Sequence, residues 1–467
     1  MAHGSAIAIV LAAGKGERMQ STTTPKVLHE VAGRALVHWP VVLAREVGVR
    51  RVIVVVGHGH ADVEAALARR FGDAAPETAL QQQQRGTGDA VACAVARLAD
   101  GPDNARVLIL SGDVPLLTAS TLHALFSCTG PLAFIATRAP DPTGYGRVVR
   151  DADGRVLRIV EHKDATPAER ALDEVNAGIY AADLGFLRRE LHGLSAANAQ
   201  GELYLTDLVA RAAAAAPVAT VLAPFVEVAG VNDRVELAAS DALARRRIAE
   251  RWMRAGVTLR APDSIAIDAD VIEIGADTLL GAGVALRGRT RIGSGVTIDV
   301  GCVLTDTVVE DGAILRPYTI ATSAKIGLRA VVGPFAHLRQ GSELGEAVHV
   351  GNFVETKKTR LGRGAKANHL SYLGDAEIGA RVNVGAGTIT CNYDGVAKHV
   401  TVIEEGAFIG SNTALVAPVR VGQGATVGAG TTVTRDVPAG ALVVSRAEEK
   451  QIAGYAARKA KAKPKSR

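Results

Sequence analysis

The sequence predicts a chain in two parts: an α/β domain with a mostly parallel, Rossmann-like sheet, and a parallel β-helix of hexapeptide repeats, joined by a helical arm. Three observations predict it. Strand and helix patterns alternate through the first half, one unbroken helical pattern fills residues 235–255, and beyond it aliphatic residues recur every six positions. The implied boundaries are 1–234 for the α/β domain, 235–255 for the linker and 256–467 for the β-helix.

In the first part, "AIAIVLAAG" reads as a short buried strand, "ALVHWPVVLAREVGV" has helical spacing, and "RRVIVVVGHG" is again a strand. "ADVEAALARR" and "DAVACAVARLA" follow as helices and "ARVLILSGD" as a strand. This βαβ rhythm implies helices covering a parallel sheet, with ligands at the carboxyl ends of its strands. "VELAASDALARRRIAERWMRAG" is rich in Arg and Ala, stops at Gly256 and reads as a connecting arm.

Beyond the arm, aliphatics stand at 274, 280, 286, 292, 298 and 304, then from 326 to 350 and from 403 to 433, always six apart. Such spacing cannot hold one face of an α-helix, but it suits extended chain, where even offsets share a side. Stacked turns of this kind bury a continuous aliphatic column, each inward Ile, Leu or Val contributing roughly 1.5–3 kcal/mol. The beat fails at "ETKKTRLGRGAKANHLSY" and "TITCNYDGVAKHV", which predicts loops bulging from the coil where Lys, His, Tyr and Asn collect.

Composition narrows the function. The chain has 467 residues, too many for one ordinary core, and only 4% are aromatic, so its cores are aliphatic. The net charge of +5 includes six Lys/Arg in the tail "AARKAKAKPKSR", which leaves 5 − 6 = −1 for the remainder. A neutral body argues against nucleic-acid binding, and the basic tail, from about residue 450, is expected to be solvated and disordered. The four cysteines are scattered, giving neither a disulfide framework nor a zinc ribbon. The longest apolar run, "AAAAAPVATVLAPFV", is too short to insert in a membrane, and "MAHGSAIAIV" lacks a cationic signal start. A cytoplasmic protein is expected.

The motifs of the first part suit phosphates and a nucleobase. "LAAGKGERM" follows the first strand and should open a helix; it is either a tight turn or a cradle of backbone amides for phosphate. It lacks the Lys-Ser or Lys-Thr of a P-loop and the third glycine of a dinucleotide fingerprint. "PKVLH" brings Lys26 near, and "QQQQRGTGDA" offers amides and a Gly-Thr-Gly turn for a flat base. "LILSGDVPLL" ends a strand in Ser111, Gly112 and Asp113; Asp113 is either the N-cap of the next element or a carboxylate for Mg²⁺. "GYGRVV", "IVEHKDA" and "VNAGIY" supply Gly146, Glu161 and Asn176, and "VAGVNDR" supplies Asn232.

In this order the motifs resemble the sugar-nucleotide pyrophosphorylase family. Joined to hexapeptides, and with "GPFAHLR", "HVGNFVE", "YLGDAEIG" and "GAGTITCNYDG", they resemble its bifunctional bacterial branch over about residues 7–446. Those enzymes act as N-acetylglucosamine-1-phosphate uridyltransferase and glucosamine-1-phosphate N-acetyltransferase. The resemblance implies a nucleotidyltransferase domain, a left-handed β-helix acetyltransferase domain, a homotrimer and a role in cell-wall precursor synthesis. By resemblance Leu11, Ala12, Ala13, Gly14 and Lys26 would contact the nucleotide, as would the Ser111–Gly112 turn. Gln81, Gly86 and Thr87 would read uracil; Asp113 and Asn232 would hold Mg²⁺; Gly146, Glu161 and Asn176 would bind the N-acetylglucosamine unit.

In the second part Arg339 and Lys357 would clamp the sugar phosphate, and Tyr372 and Asn383 would bind the sugar. Ala386, Asn392, Tyr393, Ser411, Ala429 and Arg446 would line a groove for acetyl-CoA, and His369 would be the general base. An ordinary imidazole, titrating near about 6.5, suits that task. Two departures from the family pattern stand out: "STTTPK" is one residue longer than the usual spacing before the lysine, which would shift the loop of Lys26, and Asp89 stands where His is expected. Two other readings compete: a single-activity pyrophosphorylase with a trimerising stalk, and a non-catalytic protein-binding scaffold. Neither gives a cause for Lys, His and Tyr at the breaks.

Overall fold

The computed structural model describes residues 6–446 and 448–461. It divides into two compact units, Met1–Arg247 and Ile248–Arg467, and the helix Arg234–Arg254 crosses the division.

The first unit is built on nine strands: β1 (Ile7–Ala12), β2 (Arg51–Val56), β3 (Glu77–Leu80), β4 (Arg106–Ser111), β5 (Leu132–Arg138), β6 (Arg147–Arg150), β7 (Val156–Val160), β8 (Glu174–Asp183) and β9 (Ala219–Leu222). The order is β9-β5-β8-β4-β1-β2-β3, with the β6–β7 hairpin attached to β8. Strands β3, β2, β1 and β4 are parallel, whereas β8 runs antiparallel to both β4 and β5. Side chains alternate between two cores: Ile9, Ile53 and Ile109 face one, Val10, Val54 and Leu110 the other. The loops leaving β1, β3 and β4 therefore emerge at one end of the parallel strands, and they carry the sequence-predicted site.

In the second unit the strands pair in parallel with the strand one coil earlier or later, in sheets of 11 and 17 strands. Ile267, Leu286, Leu304, Ala321, Leu338, Thr356 and Leu373 follow one another in register, all buried. Coil corners hold left-handed residues even without glycine: Tyr318, Phe335, Phe353 and Leu370 have φ of 59°, 55°, 54° and 45°. The rings of the first three stack, with centroids 5.3 and 5.4 Å apart.

The register corrects one expectation. Leu280 pairs with Ile298 and Ile298 with Leu315, so these two coils are 298 − 280 = 18 and 315 − 298 = 17 residues long. A 17-residue coil has one five-residue side, which shifts the beat without any bulge. That is the cause at "ETKKTRLGRGAKANHLSY": Val350 pairs with Ala367, 367 − 350 = 17, and the segment is the ordinary strands Glu355–Leu361 and Lys366–His369 with the coil's own turns. At "TITCNYDGVAKHV" the coil does expand, because Ile378 pairs with Ile403, 403 − 378 = 25. The extra residues form a small hairpin closed by the Tyr393–Lys398 bridge.

The tail departs from expectation too. Tyr455–Lys461 is an α-helix, since Ala, Lys and Arg are strong helix formers; residues 462–467 lie outside the described residues. Among the described residues no helix is long and apolar enough to cross a membrane.

Candidate active sites

In the first unit a cleft of about 330 Å³ opens where β1, β3 and β4 end. Leu11, Ala12, Ala13, Gly14, Lys26, Gln81, Gly86, Thr87, Ser111 and Asp113 all line it. The "LAAGKGERM" segment forms a single 3₁₀ turn at Glu17–Met19 rather than a longer helix. The loop with the extra residue still delivers Lys26 to the cleft, wedged by close packing: Pro25 touches Gly59, and a Cβ on Gly16 would strike the Lys26 side chain. Gly112 sits where a Cβ would lie 2.7 Å from the Leu11 carbonyl oxygen, so only glycine lets β1 and β4 approach there.

Asp113 is not an N-cap, because the following helix is capped by Thr118. Its Oδ2 lies 2.5 Å from Lys26 Nζ, which also donates to Asn232 Oδ1 at 3.1 Å. Asn232 is pinned by its backbone amide, which donates to Glu236 Oε2 at 2.6 Å, at the start of the Arg234–Arg254 helix. Two hard oxygens thus converge on one cation, here the Lys26 ammonium. A Mg²⁺ ion held by few protein oxygens and completed by water and phosphates fits that donor set.

Gly146, Glu161 and Asn176 form a separate group, not part of the cleft lining. A Cβ on Gly146 would lie 3.4 Å from Glu161 Oε1, and the Asn176 amide N–H donates to the Gly146 carbonyl at 2.9 Å. Burial pushes the Glu161 carboxyl up, opposed by a 2.9 Å hydrogen bond from Thr206. Asn176 Nδ2 donates to Tyr180 Oη at 2.7 Å beside an irregularity in β8.

In the second unit the sequence-predicted residues, apart from Asn383, fall along one side of the coil and its two corners. His369 ends the strand Lys366–His369, paired with Asn352 one coil earlier, and its Nδ1 lies 2.9 Å from Asn352 Oδ1. The corner continues upward. Gly387 N–H donates to the Leu370 carbonyl, Asn412 N–H to Ala386 and Gly430 N–H to Ser411, at 3.0, 2.7 and 2.8 Å. Arg446 then donates to the Ala429 carbonyl. His369, Ala386, Ser411, Ala429 and Arg446 therefore mark one continuous edge.

The next side begins at Tyr372, whose ring lies over Gly374; a Cβ there would be 2.7 Å from Tyr372 Cζ and 2.9 Å from Asn392 Nδ2. Asn392 is buried and donates to Asp375, while Tyr393 stands on the inserted hairpin. Arg339 pairs with Glu355 at 2.8 Å, which raises its already high pKa. Asn383 lies on the preceding side, beside Lys366. Sequence reading missed three partners. Asn352 is one, and Lys398, whose ammonium against Lys357 depresses the Lys357 pKa, is another. The third is Asp394, held well below the usual carboxylate range by the Ala397 amide and His399. The hairpin length alone signalled Lys398 and Asp394; nothing local signalled Asn352.

Residues 8–246 match the MobA-like NTP transferase domain family, and residues 400–435 match the hexapeptide repeat of succinyl-transferase. The chain is 53% identical to the "Bifunctional protein GlmU" of Sorangium cellulosum, covering 97% of this chain and 96% of that one. The proteins of that name from Anaeromyxobacter sp. and Trichlorobacter lovleyi are 54% and 50% identical, each over 97% of this chain and over 92% and 98% of their own lengths. With an NTP transferase fold at one end, hexapeptide coils at the other and this similarity along nearly its whole length, the chain belongs to the bifunctional GlmU family.

Proposed function

We propose that the β-helix unit transfers an acetyl group from acetyl-CoA to glucosamine 1-phosphate, and that the α/β unit couples the product to UTP, giving UDP-N-acetylglucosamine and pyrophosphate. The observation that carries this reading is a pair of chemically different sites in one chain: fixed cation and oxygen ligands in the cleft, an oriented imidazole on the β-helix edge.

For acetyl transfer, the Asn352 oxygen accepts Nδ1–H and so leaves the His369 Nε2 lone pair free. Nε2 takes a proton from the glucosamine nitrogen as that nitrogen attacks the thioester carbonyl, and coenzyme A leaves as the tetrahedral adduct collapses. Arg339, Lys357 and Lys398 supply cations for the sugar phosphate, with Tyr372 and Asn383 against the sugar. The edge from Ala386 through Ser411 and Ala429 to Arg446, with Asn392 and Tyr393 on its flank, takes the coenzyme.

For uridylyl transfer no protein nucleophile is needed, because the sugar phosphate oxygen attacks the α-phosphorus directly. The Leu11–Gly14 backbone and Lys26 hold the phosphates, while Gln81, Gly86 and Thr87 face the base. Mg²⁺ on Asp113 and Asn232 would offset the negative charge that gathers as two anions meet. Glu161, Gly146 and Asn176 grip the sugar. The exposed Tyr318, Phe335, Phe353 and Leu370 stripe beside His369 supports a homotrimer in which another copy covers it. Four free cysteines fit the cytoplasm.

The test follows coenzyme A release and pyrophosphate release separately in the full chain. His369→Ala should lose the first and keep the second, and Asp113→Ala the reverse. Loss of both from either change, with the fold intact, would contradict separate sites.

A further inference from the structure

Behind Gln81, outside the cleft lining, stands a charged group that the proposed chemistry leaves unused. Asp89 is only 6% exposed, in the first turn of the helix Thr87–Val95. Its Oδ2 accepts from Gln81 Nε2 at 2.8 Å, and its Oδ1 accepts from Arg85 Nε and Nη2 at 3.2 and 2.6 Å. The second hydrogen of Gln81 Nε2 goes to the Gly86 carbonyl at 3.1 Å. Both amide hydrogens are thereby taken, and Gln81 Oε1 accepts no hydrogen bond among the described residues, though Gln81 lines the cleft.

We infer that Asp89 is a specificity-determining positioning residue: by fixing the Gln81 amide it makes the cleft present a hydrogen-bond acceptor to the base. A carboxylate paired with a guanidinium can only accept, so it dictates which end of the amide turns toward it. The amides at the open first turn, Gly86 and Thr87, have no helix carbonyl to donate to and offer donors beside that acceptor. Acceptor next to donor matches an imide edge, N–H beside C=O, as in uracil. It mismatches cytosine, whose ring nitrogen accepts and whose amine donates. The inference rests on the uridylyl-transfer reading and deepens it, because it assigns base choice to a residue that touches no substrate.

Asp89→Asn tests it. Arg85 retains the Asn oxygen, so the Asn amide faces Gln81 Nε2 and removes the nearer of its two acceptors, leaving only the 3.1 Å bond to the Gly86 carbonyl to keep Nε2 from turning into the cleft. The readout is the ratio of kcat/KM for UTP over CTP, each with N-acetylglucosamine 1-phosphate. A mispaired polar edge in a closed site reduces such a ratio at least about 10-fold. Arg85→Leu leaves the carboxylate on Gln81 and should keep the ratio within about 2-fold. An Asp89→Asn enzyme slower on both nucleotides by the same factor would make Asp89 merely structural and overturn the inference. So would an equal loss of preference in Arg85→Leu, which would place the effect in the ion pair. A wild-type chain that transfers nothing from UTP would instead sink the underlying reading, and this inference with it.

Discussion

Asn352→Ala and Asn352→Asp probe how the imidazole of His369 is held. In the wild-type chain one hydrogen bond of 2.9 Å, from Nδ1 to Asn352 Oδ1, orients the ring on an otherwise exposed edge. Removing a neutral hydrogen bond costs about 0.5–1.5 kcal/mol. Spent on placing the base, that is about a 2- to 13-fold loss of kcat/KM for acetyl transfer. Deleting the imidazole itself should cost about 10²–10⁴-fold. Asn352→Asp keeps an acceptor at the same place but adds a negative charge, which stabilises the imidazolium. The acid limb of the pH–rate profile should then move upward by about one unit, with activity recovered at higher pH. Coenzyme A release, measured as kcat/KM from pH 5.5 to 9 on both variants, reads both effects. Unchanged rates in Asn352→Ala together with an unshifted profile in Asn352→Asp would refute the positioning argument.

Further outcomes follow from particular contacts. Gly374→Ala places a methyl against Tyr372 and Asn392, so acetyl transfer should fall while pyrophosphate release is unchanged; equal rates of coenzyme A release would contradict that packing. Lys398→Ala removes the like charge that depresses the Lys357 pKa. KM for glucosamine 1-phosphate should rise, and the alkaline weakening of binding should move to higher pH, because Lys357 then keeps its proton longer. The carboxyl of Glu161 is raised by burial, so its contribution to stability is present at low pH and lost as pH rises through its folded-state pKa. Glu161→Gln should therefore raise the thermal midpoint at neutral pH, the gap closing below the ordinary Glu range; a constant gap from pH 3 to 8 would contradict this.

The sequence was most informative where physics is local and repetitive. The six-residue beat made the β-helix legible, since each inward position needs an aliphatic whatever the distant contacts. The end of β4 was legible because Gly112 marks backbone that must approach β1 closely. What stayed hidden was register over long range. A five-residue side and an inserted loop break the beat alike, so in sequence the strand carrying His369 has the look of a bulge, although Val350 pairs with Ala367 in regular register. Asn352 was invisible for the same reason: it lies 17 residues from His369 and meets it only through coil stacking. The antiparallel β8 was concealed because a strand buried on both faces reads the same in either direction. In the tail, charge suggested disorder, but helix propensity prevailed over Tyr455–Lys461.

The central claim is that one chain holds two sites that work independently, and complementation tests it most directly. His369→Ala and Asp113→Ala chains are given glucosamine 1-phosphate, acetyl-CoA and UTP, separately and mixed. Each alone should form no UDP-N-acetylglucosamine, while the mixture restores it as the acetylated intermediate passes from one variant to the other. A mixture that stays inactive although each variant keeps its own half-reaction would contradict the account.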